Sequence, residues 1–173
     1  MESLKMEAKL RTFPATAGVW LFPFARELSE AECATCHAEL SRFLKTWKSH
    51  QKPIYAKQQF KWQTLLVVIT QCPHTEVGGC AKDELIREVK ATALRLGCPL
   101  VPNLNIVYKD IKTGKIKNLA RETITKAIAS GDLTPKTPIL HKELVTWGDF
   151  TEKLFIPAGE YWIKSYFKLP ATQ

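Results

Sequence analysis

Long apolar runs are missing from this chain: the longest, Leu65 to Ile69, has five residues, against about 20 for a membrane-spanning helix. No membrane span is expected. The start, Met1-Glu2-Ser3-Leu4-Lys5-Met6-Glu7, carries acids where a signal peptide needs a basic region, and no apolar segment follows it. The expected location is therefore the cytoplasm. Internal repeats, low-complexity stretches and Gly/Ser linkers are also lacking, so 173 residues make one domain of ordinary size. The five cysteines are an odd number for a disulfide framework, and in a reducing compartment they stay thiols. No G-x-G-x-x-G, H-E-x-x-H or G-x-S-x-G string occurs. Gly114-Lys115 is followed by Ile116, where a phosphate-binding loop requires a hydroxyl. The common nucleotide, zinc-protease and hydrolase routes thus have no support.

What is present reads as alternating strands and helices. Residues 1–17 read as a flexible lead-in, and 18–173 as a single globular domain. Gly18-Val19-Trp20-Leu21-Phe22 is aromatic and β-prone, and Pro23 ends this strand or marks it as an edge. Ser29-Glu30-Ala31-Glu32 fits a capping box and opens a helix over 30–49. Its apolar positions Cys33, Cys36, Leu40, Phe43, Leu44 and Trp47 recur at three and four residues, as a buried stripe does. The segment 60–70 contains Leu65-Leu66-Val67-Val68-Ile69, whose unbroken apolar character predicts a central strand buried on both faces. A loop with Pro73, Gly78 and Gly79 leads to a second helix over 81–96, ended by Gly97 and Pro99. Leu104, Ile106 and Tyr108 alternate along a third strand, and Lys112-Thr113-Gly114-Lys115 turns it into a hairpin with Ile116 and Leu119. A third helix is expected over 120–130, stopping at Gly131, and the last forty residues read as short strands and ordered loops. The expected class is α/β in the α+β sense: one mixed sheet of about five strands with about three packed helices.

Three groups of residues bear on chemistry. Cys33-Ala34-Thr35-Cys36-His37 matches the haem c attachment string, but both cysteines fall on the helix stripe, where a thiol packs as a small hydrophobe. Neither haem nor a metal is expected. Gly78-Gly79-Cys80 opens the second helix, where N–H groups favour a thiolate; with His74 on the same loop or His50 as base, it makes a Cys-His pair for nucleophilic catalysis. The plainer alternative is a helix-entry loop with a cysteine present by chance. Finally, no acid lies between Glu39 and Glu76, while Arg42, Lys45, Lys48, Lys52, Lys57 and Lys61 supply six cations of a net charge of +8. Trp47, His50, Tyr55, Phe60 and Trp62 are interleaved with them, the mixture that single-stranded nucleic acid uses for phosphate neutralisation and stacking. The plainer alternative here is a solvated basic surface with its aromatics inside.

With those residues in view, the chain resembles a family of small uncharacterised bacterial proteins, some of which carry the label "ABC transporter ATPase". The likeness rests on Val19-Trp20 with Leu28-Ser29-Glu30, on Phe43-Leu44-x-x-Trp47-x-x-His50, on Gly79-Cys80, and on Asn105-Ile106-Val107-Tyr108. That family favours serines on either side of the Gly-Cys pair, where this chain has Gly78 and Ala81, so a hydroxyl-assisted site does not carry over. The nucleotide motifs which the label requires are missing, and the resemblance implies a cytosolic single domain without supplying a reaction. Three readings follow. The first is a binding or accessory protein for a small molecule or protein partner, needing no cofactor. The others are a thiol-dependent enzyme using Cys80 with His74 or His50, and a weak polyanion binder using the 42–61 segment.

Overall fold

The computed structural model describes residues 13–72 and 76–168. Strand β1 (Gly18–Pro23) is followed by helix α1 (Glu30–Thr46), the short strands β2 (Lys48–Ser49) and β3 (Lys52–Pro53), β4 (Tyr55–Lys61), β5 (Leu65–Gln71) and helix α2 (Gly79–Arg95). Strands β1, β5 and β4 pair antiparallel in that order, which places β5 in the middle. Its residues from Leu65 to Thr70 are all buried. Because successive side chains leave opposite faces of a strand, Leu66 and Val68 enter the cluster formed with Leu40 and Leu44 of α1 and Leu85 and Val89 of α2. Leu65, Val67 and Ile69 enter a different one, with Val107, Leu140 and Phe150. The sequence reading of a central strand buried on both faces holds.

That second cluster is closed by a four-stranded antiparallel sheet in the order β7-β6-β8-β9, made of β6 (Ile106–Lys109), β7 (Ile116–Leu119), β8 (Pro138–Leu140) and β9 (Phe155–Pro157). Its alternation continues the layering. Val107 points back toward β5, whereas Ile106 and Tyr108 meet Ile124 of α3 (Ile124–Ala129), Leu133, Tyr161 and Ile163. A last short helix, α4 (Trp147–Lys153), is capped by Thr146, which accepts from the Asp149 N–H. The layers therefore run helix pair, sheet, sheet, helical cover. No helix among the described residues is long and apolar enough to cross a membrane.

The class agrees with the sequence reading, but several details are corrected. Instead of one mixed sheet, the described strands form two antiparallel sheets and the small β2–β3 hairpin. The strand expected over 60–70 is the end of β4, a turn and most of β5. Trp62 and Gln63 turn the chain with φ of 53° and 54°, left-handed values that residues other than glycine adopt only a few per cent of the time, so no turn signal marked the place. The helix expected over 30–49 stops at Thr46. Trp47 is extended there, and its buried ring donates an Nε1–H to Ala81 O of α2 at 3.1 Å. Its N-terminus is as expected: Ser29 Oγ accepts from Glu32 N–H, and the Glu32 carboxylate accepts from Ser29 N–H. The same carboxylate takes the Arg26 guanidinium, which holds it down to about 2. The third helix begins as a 3-10 turn over Arg121–Thr123 and then continues as α3. Of the lead-in expected over 1–17, residues 1–12 lie outside the described residues; Phe13 and Ala17 are buried, because the Phe13 ring stacks on Tyr55 and Ala17 O accepts from Trp147 N–H.

Burial on both faces of β5 predicts symmetric costs. Leu66→Ala, facing the helices, and Leu65→Ala, facing the second sheet, are each expected to lower stability by roughly 2–4 kcal/mol. Urea denaturation followed by circular dichroism measures both, and a loss under about 1 kcal/mol for either variant means that its layer is not packed as described.

Candidate functional site

The thiol residues converge in part. Gly78 is the N-cap of α2, so Cys80 occupies the second helical position, where it is exposed. The β2–β3 hairpin folds against this helix start. Its turn residues His50 and Gln51 have φ of 49° and 63°, the geometry of a two-residue turn matched to strand twist. The turn places Ser49, which is buried, so that its Oγ accepts the Gly78 N–H at 2.9 Å. Gly78 has no side chain to cap its own helix, and Ser49 supplies a hydroxyl from 29 residues away in sequence. His50 lies beside it: a Cβ at Gly78 would stand 2.8 Å from His50 Nε2, so any larger residue there would push the imidazole aside. His50 and Cys80 thus share one helix terminus, with no hydrogen bond between them among the described residues. His74 lies outside the described residues. Cys36 is fully buried, and burial pushes its thiol up to about 12; Cys33 is half-buried on the same stripe. No three His, Cys, Asp or Glu side chains are grouped to hold a metal among the described residues.

The six cations do not share a face. Arg42 and Lys45 ride on α1, on one side of the first sheet, and Lys48 and Lys52 on the hairpin. Lys57 and Lys61 are opposite Ile69 and Leu65 in register, so the pleat directs them to the other side. Their ammonium groups lie over Phe13 and Tyr55, and over Trp62 and Phe150. Trp47 and Phe60 belong to the core that α1 covers, while Tyr55 and Trp62 are exposed. On the β6–β7 hairpin, Lys117 is paired with Asp110 at 2.6 Å and Lys112 lies 3.7 Å from Asp132.

A large concavity lies elsewhere, along the outer edge of β1, with a volume of about 1150 Å³; the recess beside Phe24 and Trp62 holds only about 30 Å³, room for a water or two. Backbone groups of a strand point alternately to its two sides. In β1 the outward set is odd-numbered: Ala17 O accepts from Trp147 N–H at 2.7 Å, Val19 N–H donates to Val145 O at 3.0 Å, Pro23 O accepts from Val101 N–H at 2.8 Å and Ala25 N–H donates to Pro99 O at 2.9 Å. Two foreign segments therefore cover the two ends of this edge. Between them, Val19 C=O, Leu21 N–H and Leu21 C=O have no partner among the described residues, and they face the groove.

The walls differ in chemistry. On the α2 side, Lys82, Ile86 and Lys90 line the groove, four residues apart and so on one helix face. Trp20 lies against them, with Lys82 Nζ 5.6 Å from its ring centre and its own Nε1–H buried without an acceptor. Opposite, Lys142 sends its ammonium to Asn103 O at 2.8 Å and Asn105 O at 2.5 Å. Desolvation lowers its pKa. The neighbouring Glu143 carboxylate accepts the Tyr161 hydroxyl at 2.6 Å. Nothing in the sequence reading pointed to this groove. Its one legible sign was Pro23, an edge residue.

No family model matches the chain, and neither a curated protein nor a solved structure is similar to it above the level of chance.

Two expectations follow for the helix start. Iodoacetamide should label the exposed Cys80 while Cys36 and Cys98, both buried, stay protected until the chain is unfolded; mass spectrometry of each cysteine peptide reports the order, and early labelling of Cys36 contradicts the packing of α1. Ser49→Ala leaves the Gly78 N–H without its acceptor and is expected to cost about 1–2 kcal/mol, read as a shift in the urea midpoint. An unchanged midpoint would mean the hairpin does not cap α2.

Proposed function

We propose that this chain is a binding protein and that its ligand is peptide-like: a molecule with amide groups that lies in the groove and completes the open stretch of the β1 edge. The observation that carries this is the backbone of Leu21, whose N–H and C=O face the groove between two stretches of the same edge that are already paired. An edge with free donors and acceptors is a template for strand addition. From Val19 to Pro23 the strand rises about 13 Å at roughly 3.3 Å per residue, which suits two or three residues of extended peptide. Three backbone hydrogen bonds at about 0.5–1.5 kcal/mol each do not offset an association cost of 4–15 kcal/mol or so. Contact with Trp20, Ile86 and Leu100 on the walls must supply the rest, which makes the ligand's side chains part of its recognition.

The two other readings have less support. A thiol-dependent reaction would use Cys80 with His50, which share the start of α2 without a hydrogen bond between them. A polyanion site would need cations that the two faces of the first sheet divide. The test is titration of the ¹⁵N-labelled protein with pools of capped tripeptides, watching the Leu21 amide by NMR. A saturable downfield shift is expected. Leu21→Pro removes that donor at a position where an edge strand tolerates proline, and should abolish binding while leaving the fold intact. No saturable shift with any pool, or unchanged binding by the proline variant, rules the reading out.

A further inference from the structure

We infer that the groove selects an acidic peptide, with Lys142 holding the ligand carboxylate on one wall and Lys82 and Lys90 providing positive potential on the other. This rests on the groove being the ligand site. An ammonium has three donors, and Lys142 spends two of them on the carbonyls of Asn103 and Asn105. One N–H remains, on a residue that lines the groove. Burying a cation is costly unless it is paired, yet both of its partners are neutral, and no carboxylate is within ion-pair distance of it among the described residues. The nearest candidate in sequence, Glu143, is engaged with Tyr161. Desolvation lowers the Lys142 pKa and outweighs the opposing pull of the Glu143 charge.

Lys82 and Lys90, on the opposite wall, also have no carboxylate within ion-pair distance among the described residues, and Lys82 packs over the Trp20 ring. Glu76 and Glu143 line the groove as well, so the lysines Lys82, Lys90 and Lys142 outnumber its acids by one. A carboxylate arriving at Lys142 would take the third N–H as a charge-assisted bond, stronger than a neutral one.

The experiment compares two probes of equal length, acetyl-alanyl-glutamyl-alanine amide and its glutaminyl counterpart, by the same NMR titration at low and high salt. The glutamyl probe is expected to bind about tenfold tighter at low salt, the size of one charge-assisted bond, with the difference shrinking as salt rises. Lys142→Gln removes the charge and keeps a donor for the Asn103 or Asn105 carbonyl; it should bring the two probes to equal affinity, whereas Lys142→Arg should keep the preference. Equal binding of both probes by the native protein overturns the acidic selection and leaves the groove reading standing. A preference that persists in Lys142→Gln overturns the assignment to Lys142. Binding of neither probe also overturns the acidic selection, while the groove reading stands or falls with the tripeptide pools. Should Lys142→Gln fail to fold, by its melting curve, the native comparison and Lys142→Arg still decide.

Discussion

Strand β5 has no face to give to water. With Leu65 through Thr70 all buried, each side of it has to be covered, and the two sides recruit different material: a helix pair over Leu66 and Val68, a second sheet over Leu65, Val67 and Ile69. A central strand must also be paired on both edges, because buried N–H and C=O groups left without partners are costly. Those pairs are β1 and β4, and each thereby becomes an edge. The placement of every candidate site follows from this arrangement.

For β4, being an edge with a pleat decides where its charges go. Lys57 and Lys61 share the face that carries Phe13 and Phe150, away from α1, and lysine on an edge strand discourages another chain from pairing there. A run of cations that looks continuous in sequence is thus divided between two sides of a sheet. For β1, the edge is handled differently: segments around Pro99 to Val101 and Val145 to Trp147 cover its ends by backbone hydrogen bonds, and the stretch at Leu21 stays open as the floor of a groove.

The hairpin of β2 and β3 shows how a local break can serve a distant element. Trp47 leaves the helical region and buries its ring against α2. Ser49 follows at the spacing that lets its hydroxyl reach Gly78. A helix whose N-cap is glycine lacks a side-chain acceptor of its own, and the hairpin brings one. His50 arrives beside Gly78, at the start of the helix that carries Cys80, as a consequence of that capping, since it is the next residue in the turn.

Much of the fold was legible in the chain itself. The Ser29 and Glu32 capping box, the stripe from Cys36 to Leu44, the double-sided burial of Leu65 to Ile69 and the stops at Gly97 and Gly131 are local signals: each depends on residues within a few positions, and period and capping chemistry act over that range. The turn at Trp62 and Gln63, the end of α1 at Thr46 and the split of the basic segment were not legible, because positive φ at residues other than glycine and the side to which a strand is turned are imposed by packing. The groove is the extreme case. Whether Leu21 N–H is satisfied depends on the parity of β1 against β5 and on where residues 99–101 and 145–147 come to rest. Whether Lys142 has a counter-ion depends on which carbonyls and carboxylates surround it. The sequence alone determined three of the helices, the central strand and the class of the fold; tertiary structure decided the helical turns within the last forty residues, the open edge and the desolvated cation, because backbone hydrogen bonds and buried charges find their partners across the chain.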